Sequence, residues 1–285
     1  MAAELVQAGY EVFGLAHGSQ GDMLPGVKDI VVCDLDDQAA LSAALEFIQP
    51  DVVIHLAAIA FVAHGDANAI YRTNLIGTRN LLEALSKAAK KVGVVLLASS
   101  ANVYGNSTGG TLDEASVTAP ANDYAVSKLA MEYLAKTYLN RLPIIIARPF
   151  NYTGVHQSES FLLPKIVSHI RTRRSVIELG NINVSRDFSD VRIVVQYYRR
   201  LLECSDAIGE TFNVCSEVAY SLQDVLIMAQ EISGHILDIR INPQFVRANE
   251  VPILIGSRTK LVETVGEVTS IELSETLRWM INYSE

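Results

Sequence analysis

The chain has 285 residues, of which 49% are hydrophobic and 19% are charged, so its length suits one large α/β domain with a sizeable core, or a domain with a smaller lobe. A formal net charge of −9 without any Lys/Arg run argues against nucleic acid and anionic membranes as partners. The three cysteines, Cys33, Cys204 and Cys215, lack C-x-x-C spacing, so neither a disulfide framework nor a metal site is predicted.

The first part of the chain has the pattern of strands separated by helices. Gly9 is typical of a residue that caps a helix, and residues 10–16 then favour a strand that ends just before His17. Residues 30–35 and 51–58 have the pattern of two further strands. The residues at their carboxyl ends are Asp34 and Leu35 for the first, and Leu56, Ala57 and Ala58 for the second. Small residues at a strand end allow a cofactor to approach the backbone closely.

The middle of the chain combines a strand end with a helix. Residues 92–98 form a short, apolar, β-branched run, which is typical of a strand buried on both faces of a parallel sheet. Ser100 would then stand near the carboxyl end of this strand, where open α/β sheets bind their ligands. Apolar residues recur at helical spacing over residues 123–139, which places Tyr124 and Lys128 on one helix face.

These three side chains indicate a proton-transfer site. A phenol with a pKa of about 10 is a poor acid-base catalyst near neutrality. A nearby ammonium, and the positive ring of an oxidised nicotinamide, would lower that pKa. Tyr124 would then exchange a proton with a carbonyl or alkoxide oxygen, while Ser100 forms a hydrogen bond with the same oxygen. Tyr-x-x-x-Lys alone also fits a solvated helix face, so the interpretation depends on Ser100 and on the Val-Tyr-Gly motif that follows it.

Later segments continue the alternation of strands and polar strand ends. Residues 142–151 favour a buried strand that ends in Arg-Pro-Phe-Asn, and residues 184–191 read Val-Ser-Arg-Asp-Phe-Ser-Asp-Val. Residues 212–216 favour a return to the sheet, and residues 272–280 favour an amphipathic closing helix. No internal repeat or low-complexity linker is found.

The combination of Ser100, Val-Tyr-Gly, Tyr124 and Lys128 resembles the extended short-chain dehydrogenase/reductase family, or NAD-dependent epimerase/dehydratase family. Its members are nucleotide-sugar epimerases, dehydratases and reductases. The resemblance covers essentially the whole chain and implies an α/β fold with a Rossmann-like, doubly wound parallel sheet and a smaller carboxy-terminal substrate lobe. The dinucleotide-binding domain is then predicted to comprise residues 1–150 and 186–215. The nucleotide-sugar-binding lobe is predicted to comprise residues 151–185 and 216–285.

The resemblance also implies an activity. The loop after Asn151 is most like that of reductases of GDP-4-keto-6-deoxymannose, which read Phe-Asn-His/Tyr-x-Gly-x-x-Gln before a Ser-Phe helix. The implied reaction is reduction of the 4-keto group of a GDP-6-deoxyhexose by NAD(P)H. His17 stands where relatives that use NADP often carry Arg, which favours NADP(H) over NAD(H), although an ordinary loop histidine fits the sequence as well.

The family pattern assigns roles to particular positions of this chain. The implied catalytic residues are Ser100, Tyr124 and Lys128. The implied cofactor-binding residues are His17, Asp34, Leu35, Leu56, Ala57, Ala58, Asn74, Tyr124, Lys128 and Pro149. The implied substrate-binding residues are Asn151, Lys165, Arg186, Arg247 and Glu250. The two arginines suit a diphosphate because the planar guanidinium can donate two hydrogen bonds at once. For Asn74, a helix-packing role fits the sequence equally well.

The chain departs from the family pattern in several places. About twenty residues of the family, which carry the first strand and the Gly-rich turn that holds the pyrophosphate, have no counterpart at its start. A shortened chain and a divergent member both fit this difference. Ile193 replaces a usual Asp, and His156 stands where relatives tend to have Gly. The stretch Ile59-Ala60-Phe61 lacks a usual Ser or Thr that touches the sugar.

Two other functions remain open from the sequence. The first is a 4,6-dehydratase or a 4-epimerase on the same scaffold. Dehydratases carry Glu two residues before the Tyr of Val-Tyr-Gly, where this chain has Asn102, which argues against dehydration. The second is a non-catalytic sugar-nucleotide-binding protein, which the absent glycine loop favours and the intact Ser100, Tyr124 and Lys128 oppose. A homodimer is expected by resemblance. No apolar run reaches the roughly 20 residues of a membrane span and no signal-peptide pattern opens the chain, so a cytoplasmic location is expected.

Overall fold

The computed structural model describes residues 1–18, 24–60, 65–105, 110–245 and 253–284, which divide into two compact units. The first unit consists of Met1–Val103, Asn122–Arg148 and Val195–Phe212. The second consists of Tyr104–Ala121, Pro149–Val194 and Asn213–Glu285. Both units mix strands and helices.

The described residues contain the following strands: β1 (Val12–Ala16), β2 (Val27–Val32), β3 (Val52–His55), β4 (Val94–Ala98), β5 (Thr111–Leu112), β6 (Ile144–Pro149), β7 (Asn151–Thr153), β8 (Val176–Leu179), β9 (Ser185–Asp190), β10 (Thr211–Val214), β11 (Ala219–Ser221), β12 (Asp238–Ile241) and β13 (Ile253–Gly256). The α-helices are α1 (Ala2–Gln7), α2 (Gln38–Ile48), α3 (Ala67–Tyr71), α4 (Thr78–Lys87), α5 (Asp123–Lys136), α6 (Leu162–Arg171), α7 (Val191–Leu202), α8 (Leu222–Ser233), α9 (Thr259–Val265) and α10 (Leu273–Asn282). A π-helical segment, Arg72–Gly77, joins α3 to α4.

The first unit contains parallel strands in two sheets. One sheet has the order β10-β6-β4-β3, in which β3 pairs in parallel with β4 and β4 with β6. In the other sheet β1 pairs in parallel with β2. The predicted Rossmann-like parallel α/β architecture is confirmed. Within the described ranges, however, no strand is hydrogen-bonded between β1 and β3, so the parallel strands do not form one continuous sheet.

The centre of the larger sheet is the best-buried part of the first unit. All six residues of β6 are buried, as are four of the five residues of β4. Their apolar, β-branched side chains pack with α4 and α5 in one hydrophobic core, which includes Leu82, Val95 and Met131. This burial agrees with the expectation for strands covered on both faces. It fixes the carboxyl ends of β4 and β6, where the polar side chains begin.

The second unit has its own sheets and core. One sheet has the order β11-β9-β13-β5, with β7 also paired to β9, and a smaller one joins β12 to β8 in parallel. Helices α6, α8 and α10 pack on one another around a separate core that includes Ile166, Val225 and Leu277. The predicted closing helix is confirmed as α10, and its buried face belongs to this core.

None of the helices in the described part of the chain combines the length and the apolar character that crossing a membrane would require.

Candidate active site

The hydroxyl of Ser100 is fixed by Asn102 just after the end of β4. The backbone N–H of Asn102 donates to Ser100 Oγ over 3.2 Å, and the side-chain Nδ2 donates to the same oxygen over 3.0 Å. Because Ser100 Oγ accepts both hydrogen bonds, its single proton remains available for another oxygen. Ser100 is buried, so this orientation is shielded from bulk water.

Helix α5 brings the other two predicted catalytic residues to this strand end. Asn122 caps the helix, its side-chain oxygen accepting from the backbone N–H of Ala125 over 2.9 Å. Lys128 lies one turn after Tyr124, and its Nζ donates to the carbonyl oxygen of Ala98 over 2.7 Å. Since Ala98 ends β4, this contact holds the helix that carries Tyr124 and Lys128 beside the strand end that leads to Ser100.

Burial governs the electrostatics of this site. Both Tyr124 and Lys128 are buried. Loss of hydration lowers the pKa of Lys128 to about 8, against the opposing influence of Glu132. Lys128 is therefore an ammonium at neutral pH, but one that loses its proton under mildly alkaline conditions.

His55 is buried behind this site and is neutral. Its Nε2 lies 2.9 Å from the hydroxyl of Thr78, and that hydroxyl donates to the backbone carbonyl of Asn74 over 2.8 Å. Because the one hydroxyl proton of Thr78 is used on Asn74, His55 must donate from Nε2. Burial, and then the charge of Lys128, lower the pKa of His55 to about 3. His55 therefore acts as a structural donor.

Asn74 lies in the π-helical segment and is fully buried. Its side chain accepts from the backbone N–H of Ile59 over 2.8 Å and donates to the carbonyl of Ile59 over 3.1 Å. It also donates to Ser127 Oγ over 3.0 Å, and Ser127 Oγ donates to the carbonyl of Tyr124 over 2.7 Å. Asn74 thus joins the segment after β3 to the helix of Tyr124. π-helical turns are frequent at functional sites.

The predicted cofactor residues of β1 and β2 lie together. His17 follows β1 and Asp34 follows β2, and His17 Nε2 lies 3.3 Å from Asp34 Oδ2. Both side chains are exposed. Leu35 is half-buried, its carbonyl accepting from Asn80 Nδ2 over 2.9 Å. Its side chain packs so closely on the backbone of Gly77 that a Cβ there would lie 3.1 Å from it.

The remaining predicted cofactor residues follow β3 and end β6. Leu56 and Ala57 are exposed and Ala58 is half-buried. Pro149, the last residue of β6, is buried.

The second unit carries the predicted substrate residues that the structure describes. Asn151 in β7 donates from Nδ2 to the backbone carbonyl of Asp187 over 3.2 Å, next to Arg186 in β9. Arg186 is half-buried, and its Nη1 donates to the carbonyl of Ser185 over 2.9 Å. These strands therefore bring Asn151 and Arg186 together.

Lys165 lies elsewhere in the second unit. It is on α6, donates to the carbonyl of Glu178 over 2.8 Å, and lies 4.9 Å from the ring centre of Phe245. Arg247 and Glu250 lie outside the described residues.

Two carboxylates of the Arg-Asp-Phe-x-Asp-Val motif have structural contacts that the sequence did not reveal. Asp187 accepts from the backbone N–H and the hydroxyl of Ser216 and from the N–H of Glu217, over 2.7 to 3.0 Å. Asp190 accepts from Arg192 Nη2 over 2.6 Å and from the hydroxyl of Thr276 over 2.7 Å. The motif therefore anchors β9 with its two acids.

The Val-Tyr-Gly motif is also largely structural. Tyr104 is fully buried and donates to Asn213 Oδ1 over 2.7 Å. Gly105 has φ +56°, and a Cβ on it would lie 1.6 Å from the carbonyl oxygen of Ala119. Only glycine fits there without moving the backbone.

Comparison with known proteins identifies the family. The model of the NAD dependent epimerase/dehydratase family matches residues 1–215. The chain belongs to this family. The resemblance found in the sequence is confirmed, as is the expected dependence of the family on a nicotinamide dinucleotide.

Two curated relatives act on GDP-deoxysugars by name. GDP-6-deoxy-D-talose 4-dehydrogenase from Aggregatibacter actinomycetemcomitans is 35% identical over 238 residues, which cover 82% of this chain and 79% of that protein. GDP-6-deoxy-D-mannose reductase from Pseudomonas aeruginosa is 36% identical over 244 residues, which cover 82% of this chain and 80% of that protein.

Two solved structures are similar over most of their length. A Burkholderia cenocepacia protein whose assignment as an epimerase is provisional has 53% identity and a TM-score of 0.93, with 99% of this chain and 92% of that chain covered. RMD from Pseudomonas aeruginosa, complexed with NADPH, has 33% identity and a TM-score of 0.80, with 87% and 85% covered.

Proposed function

We propose that this protein reduces the 4-keto group of a GDP-6-deoxyhexose with NAD(P)H. The observation that carries the proposal is the hydrogen bond from Lys128 Nζ to the carbonyl of Ala98, which holds the Tyr-x-x-x-Lys helix against the strand end of Ser100. The two curated relatives, at 35% and 36% identity, are named for GDP-6-deoxysugar dehydrogenation and reduction and support the choice of substrate.

The residues of the first unit fit a nicotinamide dinucleotide. The buried ammonium of Lys128 makes one hydrogen bond within the described ranges, to Ala98, although it has three N–H donors. A ribose offers hydroxyl oxygens that accept such donors. Leu56 and Ala57, which follow β3, are exposed and can contact a bound cofactor. We assign Lys128, these two residues and the strand ends at His17 and Asp34 to the cofactor.

The roles of the catalytic residues follow from their bonding. When bound, NAD(P)H supplies the hydride that C4 of the sugar receives. Tyr124 gives its phenolic proton to the C4 oxygen, and the ammonium of Lys128 favours the phenolate that remains. Ser100, whose oxygen accepts from Asn102, directs its own proton to the same C4 oxygen and orients it. Asn74 supports the Tyr124 helix through Ser127.

The second unit supplies the proposed nucleotide-sugar contacts. The planar guanidinium of Arg186 would donate two hydrogen bonds to the diphosphate. Asn151 lies beside Arg186. Lys165 adds a second cation, and Arg247 with Glu250 complete the proposed set by resemblance. A variant such as Arg186→Met should raise KM for the nucleotide sugar more than it lowers kcat, because the diphosphate is held equally before and during the reaction.

Three finer points of this assignment are proposals of the same kind. The NADPH in the Pseudomonas aeruginosa RMD structure and the histidine at position 17 favour NADP(H) over NAD(H). GDP is proposed over UDP or dTDP from the names of the two curated relatives. A homodimer and a cytoplasmic location stay predictions from the resemblance and the sequence.

A 4-epimerase is the second candidate, because the Burkholderia cenocepacia protein of 53% identity carries a provisional epimerase assignment. Epimerisation returns its hydride and consumes no reductant, so a nucleotide that stays bound through purification would favour it. A 4,6-dehydratase is disfavoured, since Asn102 cannot exchange a proton and its amide is used on Ser100.

The deciding experiment follows NADPH and NADH oxidation by the purified chain with a GDP-4-keto-6-deoxyhexose. Stoichiometric oxidation of the reduced nucleotide with formation of a GDP-6-deoxyhexose is the expected result, and nuclear magnetic resonance of the product gives the configuration at C4. A fluorescence titration of NADPH and NADH comes first and should show binding at micromolar concentration.

Matched substrates and one variant make this test specific. UDP- and dTDP-linked 4-keto sugars should react more slowly than the GDP sugar. Tyr124→Phe should bind NADPH but reduce the keto sugar about 10²–10⁴-fold more slowly than the wild type. Conversion of a GDP-hexose to its 4-epimer without net oxidation of NADPH would instead establish the epimerase.

A further inference from the structure

A buried ion pair lies one helical turn beyond Lys128. Glu132 and Arg148 are 1% and 6% exposed. Arg148 Nε donates to Glu132 Oε1 over 2.9 Å, and Nη2 donates to Oε2 over 2.6 Å. Ser99 Oγ, also buried, donates to Glu132 Oε1 over 2.5 Å. The carboxylate of Glu132 therefore receives three hydrogen bonds from two neighbouring strand ends.

The placement of this carboxylate on α5 is specific. Tyr124, Lys128 and Glu132 follow one another at intervals of four residues, so they share one face of the helix. Replacing a buried ion pair by apolar side chains of similar volume is often neutral or stabilising, so stability alone is a weak reason for this pair. A fixed position of the helix face is the more informative consequence.

The partners of Glu132 lie beside the residue that leads to the reacting oxygen. Ser99 stands between Ala98, which accepts from Lys128, and Ser100. The backbone N–H of Ser99 donates to the carbonyl of Ala147 over 2.7 Å, and Arg148 follows Ala147 in β6. One carboxylate thus clamps α5 to the ends of both β4 and β6.

Resting on the function proposed above, we propose that Glu132 is a positioning residue for the reduction. It sets the distance of the Tyr124 and Lys128 face from Ser100, and it places a negative charge one helical turn from the Lys128 ammonium. Arg148 and Ser99 hold the Glu132 carboxylate in place.

The charges around Lys128 agree with this role. Glu132 of α5 and His55 of β3 interact electrostatically with Lys128. Tyr124 precedes Lys128 by one turn of α5, and Arg148 of β6 is hydrogen-bonded to Glu132. Burial lowers the pKa of Lys128 to about 8, and Glu132 acts in the opposite direction. His55 contributes no charge near neutrality, because its pKa is lowered to about 3. Glu132 is therefore the nearby anion that favours the ammonium form of Lys128.

The first test measures the titration of Lys128 directly and needs no substrate. Lysine labelled with ¹³C at Cε gives a signal that shifts when the ammonium loses its proton, and the signal missing from Lys128→Met assigns it. In Glu132→Gln we expect Lys128 to titrate at lower pH than in the wild type. Glu83→Gln is the matched control, since it removes a carboxylate of α4 that bonds Tyr138 and Lys87, and should leave the titration unchanged.

The second test measures kcat in two variants that separate the position of the Glu132 carboxylate from its charge. Glu132→Asp keeps the charge but shortens the reach, so Lys128 should titrate as in the wild type while kcat falls. In Glu132→Gln kcat should fall by about 10²-fold, the effect expected of a misplacement of about 1 Å. NADPH affinity, measured below the pH at which Lys128 titrates, should stay close to that of the wild type in both variants.

The outcomes distinguish this inference from the proposed function. If Glu132→Gln has the same Lys128 titration and the same kcat as the wild type, the proposed role of Glu132 is overturned. If the wild type does not reduce the keto sugar but the Lys128 titration moves, the proposed function fails and the influence of Glu132 on Lys128 stands. If Glu132→Gln does not fold, Glu132→Gln/Arg148→Met removes both charges, and a folded double variant with full kcat would overturn the inference.

Discussion

The side chains predicted to function at the strand ends of the first unit differ in burial and in hydrogen bonding. At the end of β4, Ser100 is 6% exposed and accepts from Asn102 Nδ2 over 3.0 Å. Lys128 of α5 is 3% exposed and donates to the carbonyl of Ala98 over 2.7 Å. After β1 and β2, the side chains of His17 and Asp34 are 80% and 53% exposed, and His17 Nε2 lies 3.3 Å from Asp34 Oδ2.

We propose that this difference separates the residues of proton transfer from the residues that recognise the cofactor. Buried polar groups with partners act in a low dielectric, where their interactions are stronger and their orientation is fixed. An exposed ion pair contributes only about 0–1 kcal/mol and is screened by salt. We infer that the proton-transfer groups are organised before substrate binds, whereas discrimination between dinucleotides at His17 and Asp34 rests on weak contacts.

The largest effect should come from Tyr124→Phe. Removing the phenolic proton donor should lower kcat by about 10²–10⁴-fold, the usual contribution of general acid catalysis. Dissociation constants for NADPH and the sugar nucleotide should change little, because the ring remains. Turnover close to that of the wild type would show that the buried β4 end is not the reacting site.

A pH dependence should follow from the buried Lys128. Its pKa, lowered by burial to about 8, means that the ammonium is complete well below pH 8 and is lost as the pH rises through this value. The kcat/KM for NADPH reports groups of the free enzyme, and should therefore fall about tenfold per pH unit on the alkaline side. A profile that stays flat well above pH 8 would contradict the role of Lys128 as an ammonium.

A smaller effect is expected at Asn102. Asn102→Ala removes the side-chain hydrogen bond to Ser100 but keeps the one from the backbone, so kcat should fall about 2- to 10-fold, as a loss of about 0.5–1.5 kcal/mol implies. Asn102→Asp has the same shape but cannot donate when ionised, and should lose at least as much. Full turnover of Asn102→Asp would show that Ser100 needs no such orientation.

Strand β4 and helix α5 could be predicted because the sequence patterns that indicate them lie within each element. The buried strand at residues 92–98 and the helix at 123–139 are confirmed as β4 (Val94–Ala98) and α5 (Asp123–Lys136). The spacing of Tyr124 and Lys128 on one helix face needs nothing beyond helix geometry. The catalytic roles of these residues stay predictions.

Other features depend on contacts between distant segments and carry no local signal. Glu132 meets Arg148 only because β6 lies beside β4, and the π-helical segment around Asn74 reads as ordinary helix in the sequence. The separation of β1 and β2 from the larger sheet is likewise a matter of strand pairing, which apolar patterns do not specify. Arg247 and Glu250, outside the described residues, stay predictions from the family pattern.

The smallest effects should appear at the exposed ends of β1 and β2, where His17 and Asp34 are predicted to contact the cofactor. If His17 faces a 2′-phosphate, His17→Ala should raise the dissociation constant of NADPH by no more than about fivefold and leave that of NADH unchanged. Fivefold is equivalent to about 1 kcal/mol, the contribution of an exposed charge.

Asp34→Asn should lower the dissociation constant of NADPH, because it removes a negative charge 3.3 Å from His17. Fluorescence titrations of both nucleotides at two salt concentrations measure this, since an exposed contact weakens with salt. Equal changes for NADH and NADPH would remove His17 from cofactor discrimination, and a much larger loss would mean that the exposed end is as firmly organised as the buried one.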